Sequence, residues 1–151
     1  MTKRSRAREV ALQLLFQHDH NRNVERQEIE RFVADRLNEE ALRQFCLGLY
    51  DGVLARGAEI DQRLAAAAEN WRLPRMAGVD RNILRLGAYE LLYALDTPPA
   101  VALDEAIQLA RRYGSADSPA FVNGVLDCLR QPSGPPAGES PTETTSEGEV
   151  R

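Results

Sequence analysis

Only two cysteines occur in the 151 residues, Cys46 and Cys128, far apart and without a Cys-x-x-Cys spacing. A disulfide framework and a cysteine-based zinc site are therefore not expected, and both thiols are read as buried and reduced in a cytoplasmic protein. Long apolar runs are also missing. The stretch from Val10 to Phe16 follows a basic start, as a signal peptide would, yet Gln13 interrupts it and Gln17, His18 and Asp19 close it. It has no small-residue cleavage site, and no run approaches the ~20 apolar residues of a membrane span, so neither export nor insertion is expected. A glycine-rich phosphate loop, a nucleophile elbow and a His-Glu-x-x-His motif are all absent from the sequence. His18 and His20 form a His-x-His pair without cysteine or carboxylate at metal-ligand spacing, and read as surface residues. No catalytic pair stands out among the charged residues, so an enzyme is not indicated and no cofactor or metal is called for.

What is present suits one domain with a real core, at 43% hydrophobic content. The formal net charge is -4, which taken alone argues against a nucleic-acid partner, but its distribution is uneven. Lys3, Arg4, Arg6 and Arg8 all precede the first acid, Glu9. Beyond Gln131 the chain carries Glu139, Glu143, Glu147 and Glu149 against Arg151 alone. That last segment is mostly Pro, Gly, Ser, Thr and Glu, which cannot bury enough surface to offset the entropy of ordering. Residues 1–131 are expected to form the folded domain and 132–151 a disordered acidic tail.

Within the domain the apolar period is helical. Ala7, Val10, Ala11, Leu14 and Leu15 follow the i, i+3, i+4, i+7, i+8 template, and Ile29, Phe32, Val33 and Leu37 define a second, shorter helix. Asn38 is the expected N-cap of a third, whose buried stripe is Leu42, Phe45, Cys46, Leu49, Val53 and Leu54 and which Gly57 ends. Ile60 and Leu64 mark a fourth, followed by a connection at Trp71, Leu73 and Pro74. Ile83, Leu84, Gly87, Ala88, Leu91, Leu92 and Leu95 form one face of the fifth, with Leu86, Tyr89 and Tyr93 on another. A helix apolar around so much of its circumference belongs at the centre of a bundle. Thr97-Pro98-Pro99 separates it from a sixth helix using Leu103, Ala106, Ile107 and Ala110, capped by Gly114. Ser118-Pro119 starts a seventh, with Phe121, Val122, Val125, Leu126 and Leu129 facing inward. Seven helices and no sheet make the fold class all-α.

Two segments are candidates for binding. Cations at a helix N-terminus oppose its dipole by ~0.3–1 kcal/mol each, so Lys3, Arg4, Arg6 and Arg8 either form a phosphate-binding arm or a solvated terminus. The loop from Tyr113 to Phe121 is bounded by aromatics that could stack on unpaired bases, although Phe121 at helical spacing equally suits the core. Asn123-Gly124 lies inside a helical period, where the glycine is expected to permit close packing.

Three segments carry a resemblance to a known family. Arg4-Ser5-Arg6-Ala7-Arg8-Glu9 with Ala11-Leu12-Gln13 and Phe16 resembles the arginine-rich opening of NusB proteins. Asp80 to Leu86, continuing through Ala88-Tyr89-Glu90-Leu91, is similar to their central helix. Val101 to Ala106, Tyr113-Gly114 and Phe121 to Asp127 resemble their C-terminal signature. The match spans roughly residues 3 to 130 and implies a seven-helix bundle of two helical subdomains. It further implies a transcription antitermination factor that binds boxA RNA together with NusE, the small-subunit ribosomal protein, within an RNA polymerase complex on ribosomal RNA operons. By position, Lys3, Arg4, Arg6 and Arg8 would contact RNA, with Phe16, Tyr113, Asp117 and Phe121 also facing it, and Phe16 and Asp80 would lie at the NusE surface. Whether the free chain is a monomer or a homodimer is left open. The alternative class is a protein-only helical adapter whose basic segment binds an acidic partner.

Overall fold

The computed structural model describes residues 1–68, 76–94 and 96–130. Among them are seven helices and no strand: α1 (Lys3–His20), α2 (Arg26–Arg36), α3 (Glu40–Ala55), α4 (Gly57–Ala67), α5 (Gly78–Leu92), α6 (Pro99–Tyr113) and α7 (Ser118–Arg130). The expected connection at Trp71, Leu73 and Pro74, the Leu95 position and the expected acidic tail lie outside the described residues. No helix of the described residues is long and apolar enough to cross a membrane.

The helices form two groups. In one, α1, α2 and α3 pack on each other; in the other, α5, α6 and α7 do so, with α4 against α5 and α7. The central place expected for α5 is found: it packs against α1, α3, α4, α6 and α7, and Ile83, Leu84, Leu86 and Ala88 are all essentially inaccessible. Gly87 permits this closeness. A Cβ there would stand 2.6 Å from Leu126 Cδ1 and 3.3 Å from Ala106 Cβ, where α5 meets α7 and α6.

Two polar clamps join α1 to α5. Near the start of α1 the buried Arg8 donates from Nε and Nη2 to the two carboxylate oxygens of Glu90, each at 2.8 Å. Near its end Asp19 accepts from Asn82 Nδ2 at 2.8 Å, and Arg85 of the same cluster reaches Asp61 of α4 through Nε at 2.8 Å and Nη2 at 2.9 Å. Residue 8 facing 90 and residue 19 facing 82 means that α1 and α5 run antiparallel.

Several local expectations differ from what is found. The N-cap of α3 is Glu39, because Asn38 instead offers its carbonyl to Arg43 Nη2 at 3.1 Å. Arg56 caps the end of α3, and Gly57 is the first residue of α4. Leu54 is 39% exposed, facing out at the last turn of α3, and Cys128 is only half-buried, whereas Cys46 is fully buried. Gly124 is exposed with nothing within 4 Å of an added Cβ, so it makes no close approach. Ser118 turns its hydroxyl back to accept from Ser115 N at 2.9 Å, and it is the Asp117 carbonyl that accepts the first bond of α7, from Phe121 N at 3.1 Å.

Candidate nucleic-acid interface

The basic segment is not an arm but the first turns of α1. Thr2 caps it, its Oγ1 accepting from Ser5 N at 3.0 Å. Helical spacing then sends the four cations to different places. Lys3 is exposed and donates to Glu39 at 2.6 Å, a surface pair that solvent screens. Arg4, also exposed, lies with its guanidinium carbon 4.5 Å from the centre of the Phe45 ring and has no carboxylate partner among the described residues. Arg6 is partly exposed and donates to Glu9 Oε1 at 3.0 Å.

Arg8 alone of the four is buried. It is 3% exposed, held by Glu90 through Nε and Nη2 and flanked by Glu105 at 3.8 Å from Nη1, so its charge is neutralised in the interior of the fold. The physical reason is position along the helix: residues 4 and 8 share a face beside Phe45, but 4 lies in the exposed first turn of α1 and 8 one turn on, where Glu90 of α5 meets it. Intramolecular carboxylates therefore account for three of the four cations, and the placement of basic residues at this helix start does not by itself require phosphate.

A cation that sequence reasoning missed completes the cluster. Glu9 is buried, and Arg112, 58% exposed at the end of α6, brings Nε to 2.9 Å from Glu9 Oε2 without the alignment of a directed hydrogen bond. Glu9 thus carries Arg6 on one oxygen and Arg112 on the other. Tyr113 adjoins this cluster. Burial, then the negative charge of Glu9, raise its phenol above the usual pKa.

Farther along the same face of α1 is an apolar cleft of about 250 Å³, lined by Leu12, Gln13, Phe16, Val79 and Tyr113. It brings together two expected RNA-facing residues, Phe16 from α1 and Tyr113 from α6. Phe16 is 43% exposed, its ring tilted 48° against that of His20 with centroids 4.7 Å apart, and near enough to Gly78 that a Cβ there would touch it at 3.5 Å. Gly78, Val79 and Asp80 form the first turn of α5, so Asp80 stands beside the cleft at the positive end of that helix. Asp117 is exposed in the connection between α6 and α7, while Phe121, one turn into α7, is half-buried against the core. Leu12 and Gln13 were named only within the family-like opening and not as site residues, and Val79 was not named. The spacing of Glu9, Gln13 and Phe16 along one helical face was the available signal. Among the described residues, no cluster of His, Cys, Asp or Glu is arranged to hold a metal ion.

Known proteins share this architecture. The family model described as NusB family matches residues 5–131. The transcription antitermination protein NusB of Trichlorobacter lovleyi is 43% identical over 129 residues, covering 85% of this chain and 91% of its own. T. maritima NusB has a solved structure that matches with a TM-score of 0.77 at 35% identity, covering 89% of this chain and 94% of that one. A structure of the antitermination factors NusB and NusE with double-stranded RNA matches in fold, with a TM-score of 0.76 at 24% identity and coverage of 86% and 97%. With the family model spanning most of the folded chain and relatives above 40% identity along it, the chain belongs to the NusB family.

Proposed function

We propose that this chain acts in the cytoplasm as a transcription antitermination factor that binds single-stranded boxA-type RNA together with NusE, as part of an RNA polymerase antitermination complex on ribosomal RNA operons. The observation that carries the RNA part is a juxtaposition. Arg6 and Arg112, both paired with Glu9 one turn before Gln13, adjoin a cleft walled by Phe16 and Tyr113, while the exposed Lys3 and Arg4 stand at the start of the same helix against Glu39 and Phe45. Cations offer phosphate contacts that position a strand, and aromatic faces offer stacking to unpaired bases. The same reading assigns Asp117 and Phe121 to RNA as well, and Phe16 with Asp80 to NusE. NusE and RNA are the partners named with the NusB-like structure of the same fold, and antitermination is the role named for the relatives.

The test is direct binding of the full chain to a short single-stranded boxA RNA, with and without NusE. RNA binding that NusE strengthens supports the proposal. A chain that recruits an acidic protein partner equally well after nuclease treatment, and binds no RNA at low salt, instead has the protein-only adapter function.

A further inference from the structure

The apolar cleft has one polar feature. Gln13 lines it, and Gln13 Oε1 is a buried acceptor with no hydrogen-bond donor among the described residues. A buried amide oxygen left unpaired costs free energy in the unbound chain, and a ligand that supplies the donor recovers it. The other four lining residues are Leu12, Phe16, Val79 and Tyr113, so an occupant must be flat or apolar on most of its surface. At about 250 Å³ the cleft is smaller than the roughly 300–1,000 Å³ of pockets that take drug-sized ligands, and it suits a single ring system.

We propose that this cleft is a nucleobase slot, in which an unstacked base enters beside Phe16 and Tyr113 and donates from an exocyclic amino group to Gln13 Oε1. The inference rests on the RNA reading given above and adds a specificity-determining residue to it. Charge decides for a nucleotide over a protein side chain. Glu9, one turn before Gln13, holds Arg6 and Arg112 next to Tyr113, so a base seated in the slot leaves its phosphates within reach of two guanidiniums. Adenine, cytosine and guanine carry an exocyclic amino donor. Uracil presents carbonyl oxygens at those positions, which would face the Gln13 oxygen acceptor to acceptor.

The test compares two labelled RNAs of about twelve nucleotides, a length suited to single-strand binding surfaces. One is oligoadenylate; the other has every adenine replaced by unsubstituted purine, which removes the amino group and keeps the ring. Both are titrated against the full-length wild type, Gln13→Met and Gln13→Leu, with folding of each variant checked by thermal unfolding. The wild type is expected to prefer oligoadenylate by about three- to tenfold, the range of one net hydrogen bond, and the folded variants to bind both RNAs equally. Equal binding by the wild type, or a preference that survives in the variants, overturns the slot while leaving RNA binding intact. A wild type that binds neither of these RNAs at low salt yet binds boxA RNA with NusE overturns the slot alone, and one that also fails to bind boxA RNA overturns the RNA reading with it.

Discussion

Arg8 and Glu90, 82 positions apart, meet in the interior as a two-pronged ion pair at 2.8 Å on each prong, both side chains 3% exposed or less. A pair like this fixes the register of α1 on α5, and its two halves are not independent. Removing one leaves a desolvated charge, so Arg8→Gln or Glu90→Gln should cost about 3–5 kcal/mol in urea unfolding. Replacing both, with Met at position 8 and Leu at 90, should recover most of that loss. A single variant as stable as the wild type would show that the pair is not the clamp described.

The glycines on α5 and α7 are expected to respond with opposite signs. Gly87→Ala drives a methyl to 2.6 Å from the fully buried Leu126, so overpacking of about 1–3 kcal/mol should outweigh the helix-propensity gain of ~1 kcal/mol. Gly124→Ala meets open space and should stabilise by about 0.5–1 kcal/mol. Thermal unfolding of the two variants side by side checks the sign of each.

Burial, aided by the negative charge of Asp51, pushes the Cys46 thiol up to about 12, so it stays protonated at ordinary pH. A thiol-specific disulfide reagent near pH 8 should therefore leave Cys46 unmodified in the native protein and react with it only in denaturant. Half-buried Cys128 should react faster. Mass mapping of the modified peptides distinguishes them, and rapid native labelling of Cys46 would contradict its placement.

Much of this was legible in the sequence because helical periodicity is local. The seven helices, the central position of α5 and the start of α7 near Ser118 all follow from residues three and four apart. What was not legible depends on partners distant in sequence. Nothing near Arg8 announces that Glu90 will neutralise it, and nothing near Glu9 announces Arg112. The same holds for Gly87 and Gly124: both sit in helical periods, but only the tertiary neighbours Leu126 and Ala106 make one indispensable. Phe16 was named through the family resemblance, and Tyr113 first as the edge of a loop bounded by aromatics. That they wall one cleft with Gln13 required the fold.

Asp117 is exposed on the proposed RNA side, where a carboxylate repels phosphate by order ~1 kcal/mol at short range in a water-like dielectric. Its charge also favours the positive end of α7, worth ~0.3–1 kcal/mol. Asp117→Asn keeps the shape and should bind RNA more tightly, most visibly at low salt, with a small loss of stability. Affinity at two salt concentrations alongside thermal unfolding checks both halves; weaker RNA binding by a folded variant would remove Asp117 from the interface.

With Arg8 withdrawn into the fold, Lys3, Arg4, Arg6 and Arg112 are the cations proposed to face the strand. Three or four phosphate contacts would give a slope of log affinity against log salt of about -2 to -3, at roughly 0.7 per contact for single strands. Arg4→Ala should flatten that line by about 0.7. An Arg4→Ala slope equal to that of the wild type would place the strand elsewhere.

The most direct test of the central claim is a map of backbone and side-chain NMR shifts as single-stranded RNA is added to the full chain. The account predicts that changes concentrate at Lys3, Arg4, Arg6, Gln13, Phe16, Arg112, Tyr113 and Asp117, with α2 and the Arg36–Phe32 contact unmoved. Changes centred on α2 or on the Asp19–Arg85–Asp61 cluster, with the Phe16–Tyr113 cleft silent, would contradict it.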